Sequence, residues 1–233
     1  MPVPKAAIFD VFGTVVDWRT GIATEAGRAF IAKGLKHDPA RFADLWRAEY
    51  QPAMARIREG NRGYVPLDDL HLENLTTVLH AEGLDKHFSA DERRALNHAW
   101  EKLPPWPDSV AGLSALRRHM IIAPCSNGSI ALMTRLARYG GLPWDCILGA
   151  EIAQNYKPHP SVYQASCKAL GFRPDEVVMV ACHNDDLAAA REAGLMTAYL
   201  PRPDENGPGG TAAPNADWDF VLENLMGLSG ALT

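Results

Sequence analysis

The second half of the chain alternates between apolar runs and helix-like segments, and this alternation limits the possible folds more than any other feature. Helical periodicity over 108–118, 130–139, 160–170 and 187–193 separates the strand-like runs 120–125, 146–148, 177–182 and 196–200. Strands that alternate with helices in this way are typical of a parallel sheet with helices on both faces. The sequence therefore predicts an α/β fold.

A further strand-like run, 5–12, lies near the start of the chain and stops at Gly13. Helical patterns then dominate until Lys102, with one helix predicted from Asp38 through Tyr50 and another beginning at a Ser89 capping box. We therefore predict a helical cap inserted after the first strand. The predicted domains are a core of 1–16 and 101–233 and a cap of 17–100.

Charge and hydropathy narrow the range of partners. The chain has 28 acidic and 23 basic residues without basic runs, which argues against nucleic acid or an anionic membrane as the partner. No apolar run approaches the roughly 20 residues that span a bilayer. The N-terminal residues Met1 to Lys5 leave no room for a signal peptide, so a cytoplasmic location is expected. A small molecule is therefore the expected ligand.

The four cysteines and the residues after Leu200 offer fewer signals. Cys125, Cys146, Cys167 and Cys182 show no CxxC pair and no histidine at ligand spacing, so reduced thiols are expected rather than a disulfide frame or structural zinc. The Pro- and Gly-rich segment 201–214 is predicted to be a surface loop, followed by a last strand and helix over 220–228.

Polar residues directly after strand-like runs are the candidates for chemistry, because ligands bind beyond the carboxyl ends of parallel strands. Asp10 follows the first run and is either a nucleophile or the cap of a turn. Ser126 and Asn127 follow the second and precede a helix, where a hydroxyl and a helix N-terminus grip an anion or simply form a turn.

Two more segments complete this set. Lys157 stands before Pro158, which favours an extended backbone, and is either a site cation or a solvated loop lysine. The segment 181–186 follows the run at Val177, and its Asp185 and Asp186 also suit the first turn of a helix. Each signal is modest alone, and the four in this order are specific.

These motifs resemble the haloacid dehalogenase superfamily, and within it the L-2-haloacid dehalogenases, over nearly the whole chain. The matching segments are 9–14, Leu45-Trp46-Arg47, 126–128, and 156–158 followed by Tyr163. The resemblance implies a Rossmann-like core with a four-helix cap, and the predicted helical insertion falls where that cap lies.

Phe12 distinguishes between the activities of this superfamily. Its phosphatases carry at this position a second aspartate that protonates the leaving oxygen, whereas a departing halide needs no proton. Cys182 stands where the phosphatases place a carboxylate for Mg²⁺, and Lys157 near Asp10 would supply the neutralising charge instead. We therefore expect neither a metal nor another cofactor.

The resemblance implies a two-step reaction. Asp10 attacks C2 of an L-2-haloalkanoate and forms an ester with inverted configuration, while Lys157 holds Asp10 ionised. The resemblance further implies that the substrate carboxylate is bound by Thr14, Ser126 and backbone amides, and that the halide is accepted by Arg47 and Asn127.

Water then attacks the Asp10 ester. By counting back from Gly194, Asp186 aligns with the family's water-positioning acid, while His183 replaces an asparagine and is either a base or held by local backbone. Phe12 and Tyr163 are expected to contact the substrate, although Tyr163 alternatively packs within its helix.

Three functions remain open from the sequence. The favoured one is a metal-independent dehalogenase that acts on a small 2-haloacid, as an enzyme of a type that is often a homodimer. The alternatives are a Mg²⁺-dependent phosphatase of the same fold, opposed by Phe12 and Cys182, and a non-catalytic binder of small acids, which has no need for Asp10, Lys157 and Arg47 together. The halogen, including fluoride, and the chain length of the acid are left open.

Overall fold

A computed structural model describes residues 3–227 and residue 230 of the chain. These residues contain one six-stranded sheet in which every neighbouring pair of strands is parallel, in the order β3-β2-β1-β4-β5-β6. The strands are β1 Ala6–Phe9, β2 Ile121–Ser126, β3 Leu148–Gly149, β4 Val177–Ala181, β5 Met196–Tyr199 and β6 Phe220–Val221. The predicted α/β fold with a Rossmann-like parallel sheet is confirmed.

Helices cover both faces of the sheet, as the sequence predicts. They are α6 Ser109–Leu116, α7 Ile130–Gly140, α8 Ala150–Ala153, α9 Pro160–Leu170 and α10 Asn184–Glu192. Side chains of β1 alternate between two apolar clusters because successive strand residues point to opposite faces. Ala7 and Phe9 lie in the cluster that contains residues of α6 and α7, and Ala6 and Ile8 lie in the one that contains residues of α9 and α10. Burial on both faces explains why the strands are continuously apolar.

The chain between β1 and α6 is helical, which confirms the predicted helical insertion. Its α-helices are α1 Trp18–Ala32, α2 Pro39–Ala48, α3 Tyr50–Arg58, α4 Leu67–Ala81 and α5 Ala90–Asn97. The capping box predicted at Ser89 and Glu92 begins α5. The exact domain boundaries stay a prediction.

The single helix predicted through Tyr50 is wrong, and with it the implied count of four cap helices. The chain breaks at Glu49 between α2 and α3. Pro52 accounts for the break, because it has no N–H to donate to the carbonyl of Ala48 and its ring clashes with that carbonyl in a continuous helix. Tyr50 therefore begins a new helix instead of extending the helix of Arg47.

An aromatic cluster joins the helical insertion to the sheet. Phe12, just beyond β1, is buried and packs edge-on against Trp100 at 5.5 Å and Tyr50 at 6.5 Å between ring centroids. Trp46 packs edge-on against Trp100 at 5.6 Å, and its indole N–H donates to the His71 carbonyl at 2.9 Å. These contacts hold α2 and α3 beside the carboxyl end of β1.

The structure describes part of the last strand and helix that were predicted over 220–228. Residues 225–227 form one short 3₁₀ turn, and Leu228, where the last helix was predicted to end, lies outside the described residues, as do Met1 and Pro2. None of the described helices combines the length and the apolar character that crossing a membrane requires.

Candidate active site

Asp10 lies directly after β1, where the sheet register places it beside the ends of β2 and β4. Phe9 pairs with Pro124 on one side and Val180 on the other, and the Asp10 amide donates to the Val180 carbonyl at 3.0 Å. The Asp10 side chain is buried and accepts a hydrogen bond at Oδ2 from the Thr14 hydroxyl at 2.7 Å. The carboxylate is therefore fixed in orientation before any ligand arrives.

Lys157 bridges two carboxylates at the centre of the site. Its ammonium lies 2.9 Å from Asp10 Oδ1 and 2.5 Å from Asp186 Oδ2, and all three side chains are buried. The Lys157 amide donates to Asn127 Oδ1 at 2.8 Å, and the Arg58 guanidinium donates to its carbonyl at 3.1 Å. These contacts fix the backbone from which the lysine reaches both carboxylates.

The charges in this cluster shift each other's ionisation. Burial alone would raise the pKa of Asp10, but the Lys157 charge and the contacts with His183 and Thr14 hold it well below its ordinary value. Burial alone would lower the pKa of Lys157, but Asp10 and Asp186 raise it. Lys157, His183 and Thr14 therefore keep Asp10 ionised.

Asp186 lies in the first turn of α10, where its buried carboxylate contacts two donors. Its Oδ2 accepts from Lys157, and its Oδ1 accepts from the Tyr163 hydroxyl at 2.5 Å. Burial raises the pKa of Asp186, and the nearby Asp10 charge adds to this effect while Lys157 opposes it. Both Asp186 oxygens thus have a donor, and Oδ2 is the one that contacts the lysine.

His183 connects Asp10 to a residue that the sequence did not single out. Its Nδ1 lies 3.1 Å from Asp10 Oδ2, and its Nε2 lies 2.9 Å from Oε1 of Glu205. Burial alone would lower the pKa of the His183 imidazole, but its contacts with Cys182, Asp10 and Glu205 raise it well above 6.5. The His183 imidazole is therefore protonated in the resting protein, and it lies between the carboxylates of Asp10 and Glu205.

Glu205 was missed because it lies in the Pro- and Gly-rich segment 201–214 that was predicted to be a surface loop. That prediction is wrong at this residue, which is only 8% exposed. The loop is tied to the turn after β1, because the Arg202 guanidinium donates to the Thr14 carbonyl at 2.9 Å and the Trp18 indole donates to Glu205 Oε1 at 3.1 Å. Proline and glycine content gave no signal that an acid folds inward here.

A small cavity of about 90 Å³ opens onto these groups. It is lined by Asp10, Arg47, Tyr50, Gln51, Asn127, Lys157, Pro158, His183, Asp185 and Asp186. One water needs about 10–15 Å³ of such space, so the cavity has room for several waters. The cavity therefore fits a ligand of few atoms.

Arg47 brings a cation from α2 to the cavity. Its guanidinium carbon lies 4.1 Å from the centroid of the Tyr50 ring and 5.2 Å from that of Trp18. Its buried Nη1 has no hydrogen-bond partner among the described residues. A guanidinium held by aromatic faces with a donor to spare is suited to receive an anion.

The structure brings most of the predicted site residues to the cavity wall. Those that line it are Asp10, Lys157, Asp186, His183, Arg47 and Asn127, whereas Thr14, Phe12, Ser126 and Tyr163 do not. Thr14 holds Asp10 and also accepts from the Cys182 amide at 3.0 Å, and the Ser126 hydroxyl accepts from the Gly128 amide at 3.0 Å. The substrate-binding roles expected for these four residues stay predictions.

Comparison with known proteins identifies the family. The model of haloacid dehalogenase-like hydrolases matches residues 4–194. The chain belongs to this family of hydrolases. The prediction from the sequence motifs is thereby confirmed.

Individual proteins to which the chain is similar are named haloacid dehalogenases. The chain is 45% identical to the defluorinating L-2-haloacid dehalogenase Rha0230, with a TM-score of 0.96 over 98% of this chain and 95% of that one. It is 29% identical to (S)-2-haloacid dehalogenase 1 of Pseudomonas sp. (strain CBS-3), over 85% of each chain. An L-2-haloacid dehalogenase from Xanthobacter autotrophicus with chloropropionic acid covalently bound shares the fold at 22% identity, with a TM-score of 0.81 over 97% of each chain.

The haloacid dehalogenase-like phosphatases use Mg²⁺, and the residues of this site do not fit that ion. Ligand atoms of Asp10, Cys182 and His183 lie within 4.8 Å of one another. Mg²⁺ prefers oxygen ligands, whereas this group offers one carboxylate, a thiol and an imidazole. Two cationic side chains, Lys157 and the protonated His183, already neutralise that carboxylate.

Proposed function

We propose that this protein is a hydrolytic dehalogenase that converts a small (S)-2-haloacid, of the haloacetate or 2-halopropionate class, to the (R)-2-hydroxyacid and halide. The observation that carries the proposal is the ion pair of Lys157 with Asp10 at 2.9 Å, at the wall of a cavity of about 90 Å³. An ionised, oriented and buried carboxylate is a suitable nucleophile. The similarity to named haloacid dehalogenases supports this assignment.

The first chemical step is the attack of Asp10 on C2 of the substrate. A carboxylate oxygen forms a bond to C2 from the side opposite the halogen, the carbon–halogen bond breaks, and the halide leaves with the bonding electrons. The attack inverts C2 and gives an ester of Asp10. The covalent chloropropionic acid complex of the Xanthobacter autotrophicus protein supports a bound intermediate of this kind.

The halide needs a cation and no proton as it departs. Arg47, with its unpaired Nη1, and Asn127 line the cavity and are assigned this role. Phe12 occupies the position where a phosphatase needs an acid, and its ring is packed between Trp100 and Tyr50. The site therefore suits a leaving group that is a stable anion better than a phosphate ester.

Hydrolysis of the ester completes the reaction. Water adds to the carboxyl carbon of Asp10, the hydroxyacid leaves, and the Asp10 carboxylate returns. His183 and Asp186 both line the cavity beside Asp10 and are assigned to this step. A homodimer, implied by the resemblance, stays a prediction.

Halide release from a panel of (S)- and (R)-2-haloacids, with and without EDTA, tests the proposed function. We expect release from the (S) acids to be unaffected by EDTA, because Lys157 supplies the charge that Mg²⁺ supplies in the phosphatases. A generic phosphatase substrate, p-nitrophenyl phosphate, should not be hydrolysed. Activity that EDTA abolishes and Mg²⁺ restores would instead support the phosphatase, and tight binding of haloacids without any release would support a simple acid binder.

Arg47→Ala should slow formation of the Asp10 ester, because the developing halide loses its cation. Loss of one donor to a developing anion costs about 10²- to 10³-fold in rate. We expect the loss to be greatest for fluoroacetate, since fluoride departs from the strongest bond. Rapid-quench measurement of halide release would report the effect.

Arg41→Ala is the matched control, because Arg41 lies on the same helix but is exposed and paired with Glu82. It should leave ester formation unchanged. An Arg47→Ala protein that forms the ester at the wild-type rate for every halogen would remove Arg47 from the halide site.

A further inference from the structure

Among the described residues, Glu205 is the one buried acid beside the reacting groups that the proposed reaction does not yet use. Its carboxylate contacts His183 Nε2 through both oxygens, at 2.9 and 3.1 Å, and the residue is 8% exposed. The same carboxylate accepts from Trp18 and lies within 3.6 Å of the Cys182 sulfur. The Glu205 carboxylate therefore contacts one ring nitrogen of His183, and Asp10 contacts the other.

The turn after β1 makes room for this carboxylate. Gly13 has a φ of +94°, and a Cβ at that position would lie 2.1 Å from Glu205 Oε1. Glycine at position 13 is thus required by the backbone and also by the space that Glu205 occupies. The inward position of Glu205 therefore depends on two separate parts of the chain, its own loop and the turn at Gly13.

We propose that Glu205 is a positioning residue that fixes the His183 imidazole with Nε2 protonated and Nδ1 directed at Asp10, so that Nδ1 is the base in hydrolysis of the Asp10 ester. The proposal rests on the proposed dehalogenase function and assigns the base of its second step. A carboxylate on one ring nitrogen sets the tautomer and leaves the other nitrogen free to accept a proton.

Asp186 is less suited to take that proton. Lys157 donates to one of its oxygens and Tyr163 to the other. Protonation of Asp186 would weaken the contact that orients Lys157 toward Asp10. His183, by contrast, has Nδ1 at 3.1 Å from Oδ2 of the carboxylate that becomes the ester.

The charges around His183 explain how it changes from acid to base within one turnover. The titratable or charged groups that face it or line the same cavity are Asp10 with its partner Lys157, Cys182, Glu205, Tyr199, Arg47, Asp185 and Asp186. In the resting enzyme the two carboxylates of Asp10 and Glu205 keep the imidazole protonated. Formation of the ester removes the Asp10 charge, so the pKa of His183 falls and the Nδ1 proton leaves to solvent.

The protons then balance over the second step. Neutral Nδ1 takes one proton from water as the water oxygen bonds to the carboxyl carbon of Asp10. The bond from that carbon to the alkyl oxygen breaks, and this oxygen leaves as the hydroxyl of the product with the proton from His183. The Asp10 carboxylic acid gives its remaining proton to His183, which restores the resting ion pair.

Glu205→Gln and Glu205→Ala test this assignment in single-turnover reactions with (S)-2-chloropropionate. Chloride release reports ester formation, and intact-protein mass spectrometry reports loss of the ester. We expect ester formation close to the wild-type rate and ester hydrolysis slowed by about 10- to 100-fold in Glu205→Ala, within the range that a general base contributes. The ester should therefore accumulate.

The pH profile separates positioning from a merely structural role. Hydrolysis needs neutral His183, so its rate rises with pH through the pKa of the imidazole in the ester form. Glu205→Gln keeps the volume and an acceptor but removes the charge, and should move this rise to lower pH by about one unit or more. A structural role would lower the rate without moving the profile.

Two comparisons make the result specific to Glu205. Asp204→Asn changes the same charge on the next residue, which is exposed and accepts from the Gly209 amide, and should behave like wild type. In a His183→Ala background, Glu205→Gln should add no further loss, because its effect runs through the histidine.

Wild-type hydrolysis rates and an unmoved pH profile in Glu205→Gln would overturn the assignment, whether or not Glu205→Ala folds. A further loss on top of His183→Ala would do the same. Failure of the wild-type protein to form any ester or release halide is a different outcome, which rejects the proposed function itself.

Discussion

Asp10→Asn should abolish turnover, with halide release reduced by about 10⁴-fold or more, as is typical when a covalent nucleophile is removed. The amide that replaces the carboxylate is a poor nucleophile, and in the part of the chain that the structure describes no other carboxylate contacts both Thr14 and Lys157. The fold should persist, because Lys157 keeps its contact with Asp186. Chloride release and circular dichroism would measure both expectations.

Isotope labelling identifies the step at which Asp10 acts. In one turnover of excess wild-type enzyme in ¹⁸O-water, the label should enter the Asp10 carboxylate, because the water adds to the carboxyl carbon of the ester. The hydroxyacid formed first should carry unlabelled oxygen from Asp10. Label that appears directly in the hydroxyacid would show attack by water on C2 and would reject the covalent route. For the Asp10→Asn protein, mass spectrometry should also show that the asparagine has not been converted back to aspartate.

The parts of the site that the sequence predicted share one physical origin. Asp10, Asn127 and Asp186 each follow a strand-like run, and the carboxyl ends of parallel strands lie at one edge of a sheet. The register of β1 with β2 and β4 then brings these residues together. For these three residues the apolar runs alone were sufficient to predict that they would meet.

Glu205 is a buried residue of the site that its place in the sequence does not predict. It follows no buried strand closely, and its loop has no periodicity that marks an inward face. Its position depends on contacts distant in sequence, from Trp18 to the carboxylate and from Arg202 to the Thr14 carbonyl. Gly13 was interpreted as the residue that ends the first strand-like run, whereas in the structure the Glu205 carboxylate occupies the space that a side chain at this position would need.

Pro52 is the opposite case, since its signal was present in the sequence. Apolar residues at helical spacing through Tyr50 favoured one continuous helix, but a proline two residues later is tolerated only in the first turn. The break at Glu49 follows from that rule. It matters for the site because Tyr50, at the start of α3, faces the Arg47 guanidinium at 4.1 Å.

Lys157→Met should reduce ester formation by about 10³-fold at neutral pH, because Asp10 loses the charge that keeps it ionised and oriented. Asp10 and Asp186 then share a buried site without the ammonium between them, so the pKa of one carboxyl rises. The rate of ester formation should increase with pH in the variant, since attack requires ionised Asp10. Rapid-quench chloride release across pH would measure this profile.

The same substitution should change how stability depends on pH. In wild type, the lowered pKa of Asp10 contributes stability that is present above about 3.8, and the raised pKa of Lys157 contributes stability that is present below about 10.5. In Lys157→Met the carboxyl with a raised pKa binds a proton in the folded state that the unfolded state has lost. Its contribution to stability is therefore lost as pH rises through neutrality.

The difference in free energy of unfolding between wild type and Lys157→Met should accordingly grow from about pH 5 to about pH 8. Near neutral pH we expect it to reach about 3–5 kcal/mol, the usual cost of removing one partner from a buried ion pair. His183 titrates in both proteins and largely cancels in the difference. Lys168→Met makes the same chemical change at an exposed position and should show neither effect. Urea unfolding at several pH values measures the difference, and a constant or shrinking difference would mean that Lys157 does not favour the ionised form of these two carboxylates.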